Sequence, residues 1–132
     1  MVPTVALQAG LVGKAEMTVT DADTALALRS GEVPVLGSPR LVALCEEAAC
    51  AAVGGRLDEG HTTVGSGIQF HHLAPTPVGE VVTAEATLEK IEGRRLSFTV
   101  SANDGAGLVG AGRMTRVVVE TDAFLAKARR TP

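Results

Sequence analysis

Two adjacent histidines, His71 and His72, stand in the stretch GSGIQFHHLAPTPVGE at residues 65–80, and the whole chain has only 3 histidines. If this stretch begins as a strand, the two rings face opposite sides of the sheet, and only one can lie with Ile68 and Phe70. Opposed directions disfavour joint metal ligation, and no Asp or Glu stands at a spacing that would complete a zinc site. We therefore predict no metal, one surface histidine, and one imidazole that can exchange a proton in a site.

Glu46 and Glu47 are adjacent carboxylates in the middle of a predicted helix, where side chains one residue apart point about 100° apart. A carboxylate in a buried helix is costly unless it is paired or hydrogen-bonded. In one interpretation, one glutamate reaches solvent and the other accepts a bond from Arg40 or a strand residue. In the other, a carboxylate lies beside a substrate cleft as a base or nucleophile. The residue types leave both interpretations open.

Gly65 and Gly67 interrupt an otherwise alternating strand, which predicts a bulge, a tight helix crossing, or a backbone N–H free to stabilise an oxyanion. The GAG at residues 110–112 admits the same alternatives, and we favour simple packing there. Ser38 precedes the predicted helix and is expected to cap it. Because the chain has no GxSxG nucleophile elbow, Ser38 is given a supporting role at most.

The helix that carries the glutamates is predicted over residues 39–53, PRLVALCEEAACAAV, with Pro39 in its first turn and Gly54 at its end. It is apolar almost all round, which is typical of a buried helix. Cys45 and Cys50 lie on different sides of it, so they cannot pair with each other, and both are expected to be small buried hydrophobes.

The remaining elements follow from alternation of apolar and polar residues. Strands are predicted at residues 14–20, 62–72, 80–92, 94–103 and 108–120. Gly93 and the stretch DGAG at 104–107 mark turns between them. A short helix capped by Asp21 or Asp23 follows the first strand, and another capped by Thr121 or Asp122 follows the last. Strands joined by hairpins around one apolar helix predict an α+β fold with an antiparallel sheet.

Composition narrows the class of protein. A chain of 132 residues with 45% hydrophobic residues is expected to form one domain over residues 1–132. Without Trp or Tyr, and with 3 Phe, its core must be built from Val, Ala and Leu. A net charge of -3 without a basic stripe or aromatic platform disfavours nucleic acid as a partner. No apolar run is long enough to span a bilayer, and no secretory signal is evident, so we expect a cytoplasmic protein without a membrane partner.

Four stretches together resemble a known family: GSPRLVALCEEAAC, GSGIQFHHLAPTPVGE, LEKIEGRRLSFTVSANDG and GAGRMTRVVV. They are similar to the hot-dog-fold thioesterases related to fluoroacetyl-CoA thioesterase, over residues 14–128. The resemblance implies a long helix wrapped by an antiparallel sheet, working as a homodimer with an acyl-CoA site at the subunit interface. It implies no metal or redox cofactor, with CoA present only as part of the substrate.

The resemblance also implies residue roles. Glu46 matches the family's helix glutamate, which acts as nucleophile or base, and His72 matches its active-site histidine before the turn. Ser38 stands where the fluoroacetyl enzyme has a threonine, so a hydroxyl is kept. Gly65 matches the backbone glycine near the thioester oxygen, and Arg116 matches an arginine in the last strand. Glu47, apolar in the relative, is expected to lie outside the chemistry.

The stretch RSGEVPVLGS at residues 29–38 lacks the aromatics that flank the acyl pocket of the fluoroacetyl enzyme. We therefore expect an acyl-CoA thioesterase that hydrolyses a short or medium acyl-CoA to the free acid and CoA. Two alternatives are a non-catalytic hot-dog module that binds acyl-CoA or an acyl carrier, and another hot-dog reaction such as enoyl-CoA hydration. Hydration is disfavoured because no hydratase-type helix pattern with Asp and His occurs.

Overall fold

A five-stranded antiparallel sheet curves around one long helix in the computed structural model, which describes residues 7–130. The strands are β1 (Val12–Thr18), β2 (His61–His72), β3 (Val81–Glu92), β4 (Arg95–Asp104) and β5 (Gly107–Glu120), in the spatial order β1-β3-β4-β5-β2. The helices are α1 (Ala25–Leu28), α2 (Ser38–Val53) and α3 (Thr121–Arg129), with a 3-10 turn at Asp21–Asp23. The predicted α+β fold is confirmed.

Strands β3, β4 and β5 form two successive hairpins, as the sequence predicted. Glu92 pairs with Arg95, so Gly93 and Arg94 make a two-residue turn, and Gly93 supplies the positive φ of 62° that a primed turn needs. Strand β2, in contrast, does not pair with β3, which follows it in the chain. It pairs with β5, because the proline-rich segment after His72 bonds to residues 35–36 instead of turning back. Strand β2 is therefore an edge of the sheet.

Helix α2 lies against the sheet through a face of small and branched side chains. Its buried residues are Leu41, Leu44, Cys45, Ala48, Ala49, Ala52 and Val53. Gly13 of β1 meets the backbone of α2 at Ala48 and Ala52 so closely that a Cβ at position 13 would overlap it. The core is completed mainly by Val, Ala and Leu of β3 and β4, together with Phe98, which confirms the expected small-residue core.

The starts of the helices differ from the sequence prediction. Helix α2 begins at Ser38 and is preceded by Gly37, and the Ser38 hydroxyl does not cap it, because that hydroxyl bonds elsewhere. Helix α1 is capped by Thr24, which accepts a hydrogen bond from the Ala27 N–H at 3.2 Å, rather than by an aspartate. Helix α3 follows Glu120 directly and has no side-chain cap, so neither Thr121 nor Asp122 caps it.

The two cysteines are both free, and only one is buried. Cys45 faces the core, where burial, reinforced by the charge of Glu46, raises the pKa of its thiol to about 11. Cys50 is exposed, so the expectation that it too is buried was wrong, because α2 leaves its last turns open on one side. No helix in the described part of the chain has the length and apolarity needed to cross a membrane.

Candidate active site

Glu46 lies against the sheet through an ion pair with Arg116 of β5. The Arg116 Nη1 donates to Glu46 Oε2 at 2.9 Å, and the arginine side chain is only 8% exposed while that of Glu46 is 43% exposed. Arg116 is fixed by two further bonds, from Nε to the Thr63 hydroxyl and from Nη2 to the Thr63 carbonyl oxygen, each 3.0 Å long. A buried guanidinium that donates from each of its three nitrogens holds the carboxylate in a defined orientation at the edge of solvent.

Gly65 faces Glu46 from the neighbouring strand. It pairs with Arg116 in the β2–β5 ladder, and a Cβ built on it would lie 3.0 Å from Glu46 Oε2. The register shifts between Gly65 and Gly67, so Ser66 has no partner in the ladder, which is the bulge that the two glycines predicted. A cavity of about 250 Å³ opens here between α2 and the β2–β5 pair, lined by Val42, Glu46, Gly65, Ile68 and Met114 among others.

His72 points toward the start of α2. Its Nδ1 and the Ser38 Oγ are 2.7 Å apart and share a hydrogen bond, while its Nε2 is buried and has no hydrogen-bond partner among residues 7–130. His71, its neighbour, is exposed, so the two rings do face opposite ways. Buried polar atoms in proteins nearly always have partners, so an unpartnered ring nitrogen marks a place where another group is expected to bind.

A second cavity, of about 350 Å³, lies beside the Ser38–His72 pair. Its walls are largely apolar and come from the segment before α2 and the segment after β2: Ala25, Val33, Leu36, Leu73, Ala74 and Pro75. Val33 and Leu73 are 54% and 56% exposed, so both leave much of their aliphatic surface open to solvent. This cavity, called the Ser38–His72 groove below, offers an apolar surface next to a hydroxyl and an imidazole.

The five predicted site residues thus form two clusters. Ser38 and His72 are together, and Glu46, Gly65 and Arg116 are together, but the clusters line different cavities. Eight residues of α2 separate Ser38 from Glu46, a rise of about 12 Å. Seven residues of β2 separate Gly65 from His72, or about 23 Å. One copy of the chain therefore does not bring Glu46 to His72.

Thr63 is part of the Glu46 cluster that the sequence analysis missed. It is 7% exposed and holds Arg116 through both its hydroxyl and its carbonyl oxygen. Thr63 stands two residues before Gly65, so the alternation of the strand already placed it on the same face. The alternation of β2 therefore already indicated on which face Thr63 lies, but the sequence did not show that its partner would be Arg116 of β5.

Glu47 is tied into a surface network away from both cavities. Arg40 lies 3.5 Å from Glu47 and 3.5 Å from Asp23, and the Glu47 side chain is 55% exposed. Glu47 is thus a solvent-exposed partner of Arg40, while Glu46 accepts a hydrogen bond from a strand residue, Arg116, and lines a cavity. A catalytic role for Glu46 stays a prediction. Among residues 7–130, no three His, Cys, Asp or Glu side chains are grouped as metal ligands would be.

Comparison with known proteins decides the family. Residues 19–122 match the family described as fluoroacetyl-CoA-specific thioesterase. The chain belongs to this family. It is 42% identical over 93 residues, 70% of its length and 67% of the relative's, to the fluoroacetyl-CoA thioesterase of Streptantibioticus cattleyicolor.

Solved structures agree with this family at the level of the fold. A threonine-to-serine variant of a fluoroacetyl-CoA thioesterase, in complex with acetyl-CoA, superposes with a TM-score of 0.87 at 34% identity, covering 96% of this chain and 100% of that one. A hot-dog-like protein from Thermanaerovibrio acidaminovorans gives a TM-score of 0.86 at 27% identity, covering 96% and 95%. The predicted hot-dog fold and thioesterase family are confirmed, and a thioester hydrolase is the class of enzyme they support.

Proposed function

We propose that this thioesterase hydrolyses a short or medium acyl-CoA to the free acid and CoA, as a homodimer whose active site is built from both copies. The observation that carries the proposal is the arrangement of the two clusters along one exposed strand. Because Ser66 is bulged out of the ladder, Gly65, beside Glu46, and His72, beside Ser38, each lie three ladder positions from Gln69 on β2. A twofold axis at Gln69 would pair the two copies of β2 antiparallel and set Gly65 of one opposite His72 of the other.

The length, composition and exposure of β2 support this assembly. It is a 12-residue edge strand, HTTVGSGIQFHH, with no Lys, Arg, Asp, Glu or Pro to discourage pairing. Residues 65–69, which include the position of the proposed axis, are all exposed. Long edge strands without such protection are usually paired or covered, and residues directly opposite in an antiparallel pair have Cβ atoms about 5 Å apart. The unpartnered His72 Nε2 would then face the Glu46 cavity of the second copy.

The chemistry follows from the groups this arrangement would join. Glu46 acts on the thioester carbonyl carbon, either as the nucleophile or by deprotonating a water molecule that attacks it. The Gly65 N–H donates to the oxygen that becomes negative, an interaction worth about 3 kcal/mol when it is well placed. The carbon–sulfur bond breaks, and His72 of the second copy protonates the departing thiolate or positions the attacking group.

The remaining residues have supporting tasks. Arg116 orients Glu46 and keeps a positive charge beside it, and Ser38 orients the His72 ring through Nδ1. When Glu46 is the nucleophile, water then cleaves the mixed anhydride to release the acid. The thiol of CoA has a pKa close to that of free cysteine, about 8.5, so it leaves easily. No metal or redox cofactor is therefore required.

The apolar lining of the Ser38–His72 groove favours an aliphatic acyl chain as its occupant. Its walls are apolar, it borders Ser38 and His72, and it has room beyond a two-carbon unit. The segment at residues 29–38 carries no aromatic side chain to close over it. We therefore infer that chain lengths above acetyl are accepted, and that fluoroacetyl-CoA is not preferred over them.

Mixed dimers test the shared site. E46Q and H72A are prepared separately, each expected to be nearly inactive in thiol release from acyl-CoAs of increasing length, then unfolded together and refolded as an equal mixture. Half of the dimers are then hybrids, and each hybrid has one site with both native groups, so about a quarter of the parental activity should return.

The alternatives give distinct results. If native mass spectrometry finds hybrids but activity does not return, Glu46 and His72 of different copies do not share a site. If either single variant keeps parental turnover, its catalytic role is wrong. If the parent binds acyl-CoA but releases no thiol from any of them, the chain is a binding module.

A further inference from the structure

A third cavity, of about 380 Å³, lies at the opposite end of β2 from His72 and has no role in the chemistry above. Three side chains that can carry positive charge line it: Arg56 after α2, His61 at the start of β2, and Arg94 in the β3–β4 turn. Its floor is apolar, from Leu7, Leu57 and Val118. In a chain with a net charge of -3, two arginines around one cavity stand out as a local positive site.

Neither arginine is neutralised by a neighbour in the part of the chain that the structure describes. Among residues 7–130, Arg56 and Arg94 take part in no salt bridge, whereas Arg40 and Arg116 do. Asp58 is the acidic side chain in the wall of the cavity, and it is not within ion-pair distance of either arginine. Guanidinium groups with free donors, set around a concave surface, suit the oxygens of a phosphate.

The backbone holds these groups in place. The Val118 N–H donates to the Arg94 carbonyl oxygen at 2.9 Å, which ties the tip of the β3–β4 turn to β5. The Arg56 N–H donates to the Val53 carbonyl oxygen at 3.1 Å, at the end of α2. His61 Nδ1 lies 3.1 Å from the Glu59 carbonyl oxygen, so that nitrogen donates there and Nε2 faces away from it.

The cavity lies within reach of a substrate whose thioester is beside Glu46. His61, Thr63 and Gly65 alternate along β2 on the side that faces α2, so the cavity opens on the same side of the sheet as Glu46. Four residues of strand separate His61 from Gly65, which is about 13 Å. The pantetheine arm of CoA has roughly thirteen bonds from sulfur to the first phosphorus, and extended it spans about 15 Å. The distance along the strand is therefore similar to the length of the extended pantetheine arm.

We propose that Arg56 and Arg94 bind the phosphate groups of the substrate's CoA moiety while its thioester lies beside Glu46. This inference rests on the proposed function, because it takes the substrate to be a CoA thioester. It adds a specificity site for the part of the substrate that does not react. The first phosphate is shared by CoA and by the phosphopantetheine of a carrier protein, so the test includes both.

The test compares R56A, R94A and the double variant with the parent on four butyryl thioesters, of CoA, 3′-dephospho-CoA, 4′-phosphopantetheine and pantetheine. R95A is the matched control, since it removes the same charge one residue away, and its side chain lies on the outer face next to buried Leu96. For butyryl-CoA, each single variant should raise KM by about tenfold or more, while kcat changes less than about twofold. For butyryl-pantetheine, which has no phosphate, KM should not change.

The pattern across substrates identifies the phosphate. If the KM effect persists with phosphopantetheine, the arginines contact the first phosphate, and if it disappears with dephospho-CoA, they contact the 3′-phosphate. The proposal is overturned if R95A matches R94A, or if the variants raise KM equally for pantetheine. Calorimetry of CoA itself gives a reading independent of turnover, because CoA should bind the parent and R95A but much more weakly to the double variant, and equal binding would also overturn it.

Discussion

The two edges of the sheet differ in how they are protected. Strand β1 is 7 residues long, carries Lys14 and Glu16, and is packed by α2 through Gly13. Strand β2 is 12 residues long, carries no Lys, Arg, Asp or Glu, and exposes residues 65–69. Charged side chains and a covering helix are common ways to prevent strands of different molecules from pairing. The β1 edge is short and carries such charges, whereas the β2 edge is long and carries none.

This difference explains where the cavities lie. Helix α2 approaches β1 closely because Ala48 and Ala52 meet a glycine there. On its other side, α2 turns Val42 and Glu46 toward the β2–β5 pair across a cavity. A helix that leans to one edge of a curved sheet leaves a gap at the other, and the polar groups of the candidate site line that gap.

The largest effect is expected at Glu46. E46Q keeps the size of the side chain and can still accept a bond from Arg116, but it removes the nucleophile or base. Turnover of a preferred acyl-CoA should fall by about 10² to 10⁴-fold, with the melting temperature little changed. E47Q is the matched control, and because Glu47 is exposed and outside both cavities, its turnover should stay within about twofold of the parent. Equal losses in the two variants would contradict the role of Glu46.

A lysine introduced on each edge strand tests whether β2, and not β1, forms the interface between two copies. Ile68 and Val12 are aliphatic residues of similar exposure, 50% and 48%, on β2 and β1. In I68K, two lysines would meet near the proposed twofold axis, and such like-charge contact costs several kcal/mol. Sedimentation should therefore find I68K largely monomeric, with activity that recovers as protein concentration rises, while V12K behaves as the parent.

Two outcomes of the I68K and V12K experiments would contradict this prediction. A fully active I68K monomer would mean that no second copy is needed. A V12K variant that loses assembly would mean that the β1 edge, not β2, forms the interface.

A glycine on each edge strand should respond to alanine in opposite ways. In G13A the new Cβ would overlap the backbone of α2, which cannot move away locally, so unfolding free energy should drop by about 1–3 kcal/mol. In G65A the nearest atom is the tip of the Glu46 carboxylate at 3.0 Å, which can shift. Stability should then change by less than about 1 kcal/mol, but activity should fall by about tenfold or more, because the carboxylate is displaced. Urea unfolding and thiol-release assays measure both quantities.

The sequence predicted most of the fold because its signals are local. Alternation predicted that only one of the two histidines lies with Ile68 and Phe70, the resemblance named His72 as the site residue, and the two glycines of β2 marked the bulge. The spatial position of β2 could not be predicted from its own residues, because pairing with β5 joins segments about fifty residues apart. The cap at Ser38 was wrong for a similar reason, since the hydroxyl bonds to His72, which is distant in sequence.

The separation of Glu46 from His72 follows from one contact that the sequence analysis did not predict. With Ser38 bonded to His72, the eight residues that follow in α2 place Glu46 about 12 Å farther along the helix, so one copy cannot also bring Glu46 to His72. The resemblance to a family with a shared site did predict that two copies are needed, but the sequence analysis did not predict which site residues are neighbours within one copy.

The smallest effect is expected where β1 leads into the segment that carries Ser38. Burial raises the pKa of Asp23, but the hydrogen bonds from Thr20 and the charge of Arg40 lower it by more, so the folded pKa lies below the ordinary value of 3.8. Asp23 therefore contributes stability that is present above about pH 4 and is lost as pH falls through its folded pKa. D23N should be less stable than the parent by about 0.5–1 kcal/mol at pH 7, with no difference once both are measured well below pH 3.8. A difference that stays constant down to low pH would mean that the amide disturbs the turn sterically, and that the carboxylate charge does not hold the start of α2 in place.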